Sequence, residues 1–325
     1  MKKTLIALAV LAVSGAAIAQ SSVTLYGIVD VWVGSMKSGV NANSVTVLNS
    51  GGFNGSRYGF KGSEDLGGGL KAVFKLEQGF NIDTGATAAG TAFNRQAFVG
   101  LEGGFGSLTL GNVWSAMDDV IGAGNGAFDT AFSPLYSMPG SVHFTYQDRP
   151  RNAIKYATPN FGGFTAAVVY GLDENKAVKQ DTVDFNVAYG AGPVGVSFAY
   201  QVQNNTTDTE LMLLNGSYDL GVAKLLATYG QVETGAARSR DYQFGVDVPL
   251  SSALTLSGSF AQTKHNGSYA PNINGKNNGF GIAAKYSLSK RTFTYAGVRN
   301  VDVKNSAGTK IDRDSIYAVG VQHSF

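Results

Sequence analysis

Charged side chains that share one face of an extended segment are the first candidates for chemistry in this chain. In SRYGFKG, Arg57 and Lys61 are period-2 partners. In LKAVFKLEQ, Lys71, Lys75 and Glu77 share a face, opposite Ala72, Phe74 and Leu76. Arg95 in NRQAF and Lys155 in RNAIKY fall on the same parity, and Asp30 adds a second anion. Six cations and two anions on one face do not make a nucleophilic or proton-transfer centre. They make a positive field that filters ions, provided water fills the space beside them. A turn centred on Leu66 would set Lys61 across from Lys71 and Arg57 across from Lys75. Like charges opposed in a sheet are destabilising, which points to a wet cavity.

The other chemistry to weigh is general-base catalysis. The chain has 3 His: His143 and His265 in or beside polar segments, and His323 near the end. A base must be held within reach of its partner, and no Ser–His–Asp pattern can be assigned. The expected catalytic residues are therefore none, with no cofactor and no metal. The run IGAGNGAF imitates a nucleotide-binding glycine pattern but follows no strand-to-helix unit. His143 reads as a solvated loop residue.

What must position the charged face is a set of strands. Sequences such as TVDFNVAYG, VGVSFAYQ, DYQFGVDV, LTLSGSFAQ and GFGIAAKYSL alternate large apolar residues with small or polar ones. Cysteine is absent, charged residues are 15%, and there are 43 Gly, 19 Phe and 15 Tyr. The start, MKKTLIALAVLAVSGAAIAQ, combines a basic end, a short apolar run and the small-x-small triplet Ala17-Ile18-Ala19. It reads as a signal peptide, residues 1–19, followed by one domain, residues 20–325. Removing Lys2 and Lys3 from 25 basic residues leaves 23 against 23 acidic ones. A neutral mature chain gives no reason to expect nucleic acid as a partner. No later stretch is long and apolar enough for a spanning helix. A closed barrel is the remaining way to satisfy every backbone hydrogen bond in lipid.

Spacing sets the expected size. Short turns fall near Glu64–Gly69, Gly103–Gly106, Pro159–Gly162, Gly190–Pro193, Asp219–Gly221, Pro249–Ser252 and Ser289–Lys290. Longer polar segments alternate with them, at roughly 35–51, 81–92, 112–150, 173–181, 203–209, 232–240, 265–278 and 300–313. Seven turns and eight loops predict a 16-stranded antiparallel transmembrane β-barrel. The strand-like SVHFTY at 141–146 lies inside the longest loop and is assigned to it. The last strand carries Tyr317, Val319, Val321, His323 and Phe325 toward lipid and must close against SSVTLYGIVDVWVG.

SSVTLYGIVDVWV, SRYGFKGSEDLGGGLKAVFKLEQGF, NRQAFVGLEGGFGSLTLG and the terminal VGVQHSF resemble the trimeric general porins of β-proteobacteria. The resemblance spans essentially the whole mature chain. It implies a homotrimer of 16-stranded barrels, each with a third loop folded inward to narrow the pore. It also implies small hydrophilic solutes and inorganic ions as cargo, and an anion preference in many members. Partners would include outer-membrane lipid, lipopolysaccharide and the assembly machinery, which reads the terminal Phe325. Carried over by motif, the constriction wall is Arg57, Arg95 and Lys155 with Glu77. Lys155 and Asn112 are departures, since relatives often carry Arg at both.

Loop 112–150 is the expected constriction loop, with Asp118, Asp119 and Asp129 facing the cationic wall. The expected site thus comprises Arg57, Lys75, Glu77, Arg95, Lys155, Asp118 and Asp119. Asp30, Lys61 and Lys71 line the wider lumen. Two other functions compete with a passive channel. An outer-membrane hydrolase would depend on His143 or His265. A surface adhesin would have a smaller filled barrel or an extra domain.

Overall fold

The alternation described above folds as seventeen strand segments in one antiparallel sheet. The computed structural model describes residues 22–39, 42–87, 91–174, 181–267 and 274–325; the expected signal peptide lies outside them. The first half contains β1 (Ser22–Ser38), β2 (Val45–Ser50), β3 (Arg57–Gly67), β4 (Leu70–Gly79), β5 (Gln96–Gly103), β6 (Gly106–Asn112), β7 (Ala153–Ala157) and β8 (Phe164–Gly171). The second contains β9 (Thr182–Ala191), β10 (Val194–Gln203), β11 (Thr209–Asp219), β12 (Lys224–Thr234), β13 (Ala237–Pro249), β14 (Leu254–Asn266), β15 (Lys276–Ser287), β16 (Thr292–Lys304) and β17 (Lys310–Ser324).

β1 pairs along Ile28–Ser38 with β17, which closes the sheet into a barrel. Its other edge pairs with β3 at the lower end and β2 at the upper end. Those two segments are one interrupted strand, so the barrel has 16 staves. The expected lipid row holds: Phe185, Val196, Phe244, Phe260 and Tyr317 are exposed, while their neighbours point inward. At the terminus, Phe325 exchanges backbone hydrogen bonds with Gly27, and its ring fills the space that a side chain at Gly27 would need.

Three expectations change. The β3–β4 hairpin does not turn at Leu66. Gly67, Gly68 and Gly69 have φ of 84°, 63° and 81°, a left-handed run open to glycine, and the register slips between Asp65 and Gly67. Lys61 therefore faces Lys75, Arg57 faces Gly79, and Lys71 faces Asp65. Of the two expected like-charge oppositions only one exists, now between Lys61 and Lys75, while Lys71 faces an acid. Next, the loop expected at 232–240 is reduced to Gly235 and Ala236, because β12 and β13 pair up to Thr234↔Ala237. The eighth loop shrinks to the segment between Lys304 and Lys310. Polar residues extend these strands beyond the apolar band, since they can complete ladder hydrogen bonds in water as well as in lipid. Within the third loop, SVHFTY contributes no strand; it forms one helical turn, Val142–Thr145.

Candidate pore constriction

The third loop is inside the barrel, fastened by inward side chains of the strands it crosses. Asp184 on β9 accepts the Ala116 N–H at 2.7 Å, and Asn186 donates to the Ala116 carbonyl at 2.6 Å. Asn215 on β11 donates to the Val120 carbonyl at 2.8 Å. Asp241 on β13 accepts the Val142 N–H at 2.7 Å, and Ser239 donates to the Gly140 carbonyl. Arg299 on β16 donates to the Ala131 carbonyl.

Apolar packing backs these bonds. Met117, Ile121 and Val142 lie on Leu211, Leu213 and Val232, and Leu135 and Met138 lie on Ala261 and Val301. The loop thus covers the inner wall from β9 to β16. Gly124 and Gly126 of IGAGNGAF allow that close approach: a Cβ on Gly124 would sit 2.2 Å from the Ala227 carbonyl, and one on Gly126 would meet Ser259. They serve packing against the wall.

The opposite wall keeps its cations. Glu77 is 2% exposed and organises them. Its carboxylate accepts Arg95 Nε at 2.8 Å and the Tyr26 hydroxyl at 2.8 Å, with Lys75 Nζ at 3.5 Å. Lys61 and Lys75 both lie over the Tyr26 ring, at 5.4 and 5.6 Å. Arg57 donates Nε to the Gly55 carbonyl at 3.0 Å and feels the like charges of Arg95 and Arg149.

Lys155 differs: its Nζ holds Asp119 at 2.6 Å and the Trp114 carbonyl at 3.1 Å. Loop and wall therefore meet through that ion pair. Asn112 approaches the Phe93 and Asn94 carbonyls at 3.5 Å.

Other expected site residues lie elsewhere. Asp30 points inward but is 0% exposed. It accepts the N–H groups of Gly52, Phe53 and Asn54 and the Tyr295 hydroxyl. It therefore holds the detour between β2 and β3 and does not line the water. Lys71 sits at the short-turn end, across from Asp65 and Glu102.

Of the three loop acids expected to face the wall, Asp119 meets it, at Lys155. Asp118 turns into the loop and accepts the Tyr146 hydroxyl at 2.7 Å. Burial, with the Asp148 charge adding to it, pushes its carboxyl up to about 7 despite that bond. Asp129 is enclosed by Asn125 and Tyr136, and burial pushes it up to about 6. His143, expected to be solvated, is buried against the Tyr136 ring, with Nε2 3.1 Å from the Ile121 carbonyl. Burial lowers its pKa to about 4, so it is neutral near pH 7.

Sequence reasoning missed Tyr26, Trp114 and Arg149. Trp114 lies between Arg95, at 5.2 Å from its ring, and Arg149, at 4.1 Å. Such stacking orients guanidinium groups. The available signal was a rare residue, one of 2 Trp, two positions beyond a strand end.

A closed barrel with an inward loop on one wall and uncompensated cations on the other is a passive diffusion channel of the outer membrane. Comparisons with known proteins agree. Residues 4–306 match the Gram-negative porin family, and the chain belongs to it. It is 34% identical to outer membrane porin protein 32 of Delftia acidovorans, covering 99% of this chain and 95% of that protein. It is 30% identical to an outer membrane porin protein of Bordetella pertussis, covering 100% of both. Among solved structures, the anion-selective porin from Comamonas acidovorans matches with a TM-score of 0.80 at 27% identity, covering 94% of this chain and 100% of that one.

Proposed function

We propose that this porin prefers anions, and that the preference comes from Arg57, Arg95, Lys61 and Lys75. The observation that carries the reading is the unequal pairing of charges. On the wall and the loop edge touching it, Arg57, Lys61, Lys75, Arg95 and Lys155 meet Glu77 and Asp119. Among the described residues, Arg57 makes no ion pair. Asp118 and Asp129, the acids that would oppose the wall, are turned into the loop. A low-dielectric wall focuses the remaining positive field on the aperture. The anion-selective solved relative supports the same reading.

The working assembly in this proposal is a homotrimer, formed after cleavage of residues 1–19 and after assembly machinery engages Phe325. The test is solute entry into liposomes carrying the purified protein, followed by swelling. Anionic solutes should enter faster than cationic ones of equal size, and closure in a bilayer should come in three steps. Equal entry of both signs would refute the preference, and single closing steps would refute the trimer.

A further inference from the structure

Two apolar side chains face the lumen on β4 and β5, outside the part of the wall that the third loop covers. Val73 and Phe98 are half-buried there, on the face that carries Lys75 and Glu77. Phe98 packs at one edge against the cluster of Val113, Ala153 and Val169. The rest of its ring and Val73 line a cavity of about 250 Å³. A filter for hydrated ions has no use for apolar surface left in water, which is unfavourable.

Register shows what surrounds these two residues. Thr24, Lys61, Lys75 and Phe98 form one row of direct partners across β1, β3, β4 and β5. The next row toward the short turns is Ser22, Ser63, Val73 and Gly100. Each row thus starts at a hydroxyl and passes to an apolar side chain. The two ammonium groups stand between them, with Lys75 one strand spacing, about 5 Å, from Phe98. Lys61 and Lys75 share the Tyr26 ring as an anchor.

The polar groups of the cavity are open to a ligand. Among the described residues Lys61 forms no ion pair, and Lys75 meets Glu77 only at 3.5 Å. The hydroxyls of Thr24 and Ser63 make no hydrogen bond among the described residues. Glu102, the acid at the rim, is the register partner of Lys71. Lys61 lies beyond Arg57 toward the short turns of the same strand, about 10 Å along the membrane normal at the usual tilt. An anion therefore reaches this cavity after passing Arg57 and Arg95.

We propose that the cavity is a binding subsite for small organic acids made of one apolar ring and one carboxylate, of which benzoate is the simplest. The carboxylate accepts hydrogen bonds from Lys61, Lys75 and the Thr24 and Ser63 hydroxyls, and the ring lies on Val73 and Phe98. The subsite rests on the anion-preferring reading and adds to it a choice between anions that charge alone does not give.

The test is chloride current through the wild-type protein in a planar bilayer, titrated with benzoate, with acetate and with neutral benzamide. The pH is neutral, so both acids are ionised. Benzoate should halve the current at roughly a tenth of the acetate concentration, since burying one ring face removes about 60 Å² from water. Benzamide should not block. Phe98→Ala should raise the half-blocking concentration of benzoate about fivefold and bring it toward that of acetate. Lys61→Gln should raise both by about threefold. The control K290Q/R291Q, in the turn between β15 and β16, should be blocked like wild type.

If Phe98→Ala does not fold, Val73→Ser should weaken benzoate block in the same direction by about threefold. Equal half-blocking concentrations of benzoate and acetate in wild type would overturn the proposal. So would block by benzamide, which would make the cavity a site for neutral rings, and so would a benzoate block that neither Phe98→Ala nor Val73→Ser weakens. The reversal potential of the same membranes in KCl separates the two readings. Chloride excess without preferential benzoate block removes the subsite alone, whereas potassium excess removes the anion preference on which it rests.

Discussion

Arg57 and the Lys155–Asp119 pair make opposite predictions, although each places a cation on the same wall. Replacing Arg57 with Gln removes a charge that has no carboxylate partner among the described residues. A permeating ion about 5 Å from that guanidinium in water gains or loses roughly 0.8 kcal/mol. Screening at 0.1 M salt leaves about 0.5 kcal/mol. The shift has opposite sign for chloride and potassium, so their permeability ratio changes by about 1 kcal/mol, roughly fivefold.

The double variant Lys155→Gln, Asp119→Asn removes a pair held at 2.6 Å with no net charge. Its ratio should match wild type within twofold by the same arithmetic. The assay is reversal potential in a planar bilayer across a tenfold KCl gradient. An Arg57→Gln ratio equal to wild type would refute the reasoning, as would a fivefold loss in the neutral double variant.

Three further outcomes are expected. Burial raises the Asp118 carboxyl to about 7, above its unfolded value, so the folded chain binds the proton between about pH 4 and 7 where the unfolded chain does not. That contribution is therefore lost as pH rises from about 4 to about 7, and Asp118→Asn should gain thermal stability on wild type across that window and level off above it; a difference flat from pH 4 to 7 would contradict this. Gly281→Ala would place a Cβ 1.9 Å from the Phe132 carbonyl, forcing the loop off the wall at about 1–3 kcal/mol; the unfolding midpoint should fall and single-channel current should become noisier. Asp241→Ala leaves the Val142 N–H and the Thr263 hydroxyl without their acceptor, at about 1–3 kcal/mol. Proteolysis within residues 113–150 should then accelerate, and an unchanged digestion pattern would contradict the fastening role.

Strand identity was legible because each stave sees lipid on one face and water or the loop on the other. The alternation in TVDFNVAYG or DYQFGVDV survives intact in the structure. The third loop was legible from length alone, because an unstructured segment of that size inside a barrel domain usually has a function. Its fastening was not. TELMLLNG breaks the alternation, with Leu211 and Leu213 inward and Leu214 outward, and an apolar inner face marks where a loop lies over the wall. That inference requires knowing what sits opposite.

The β3–β4 register was lost to three glycines whose backbone angles decide the turn. Parity alone cannot choose between turns separated by an even number of residues. Parity also put Asp30 on the inner face correctly, but not the backbone of 52–54 that covers it. The same limit applied to Asp118 and Asp129: their sequence position gives the loop they occupy, and only its folding shows which way they turn.

The most direct test of the central claim is the reversal potential of the wild-type protein across a KCl gradient, taken at low and high salt. An uncompensated basic wall predicts chloride excess that weakens as salt rises. Potassium excess at low salt would contradict it, and would mean that the loop acids, not Arg57 and Arg95, set the field in the pore.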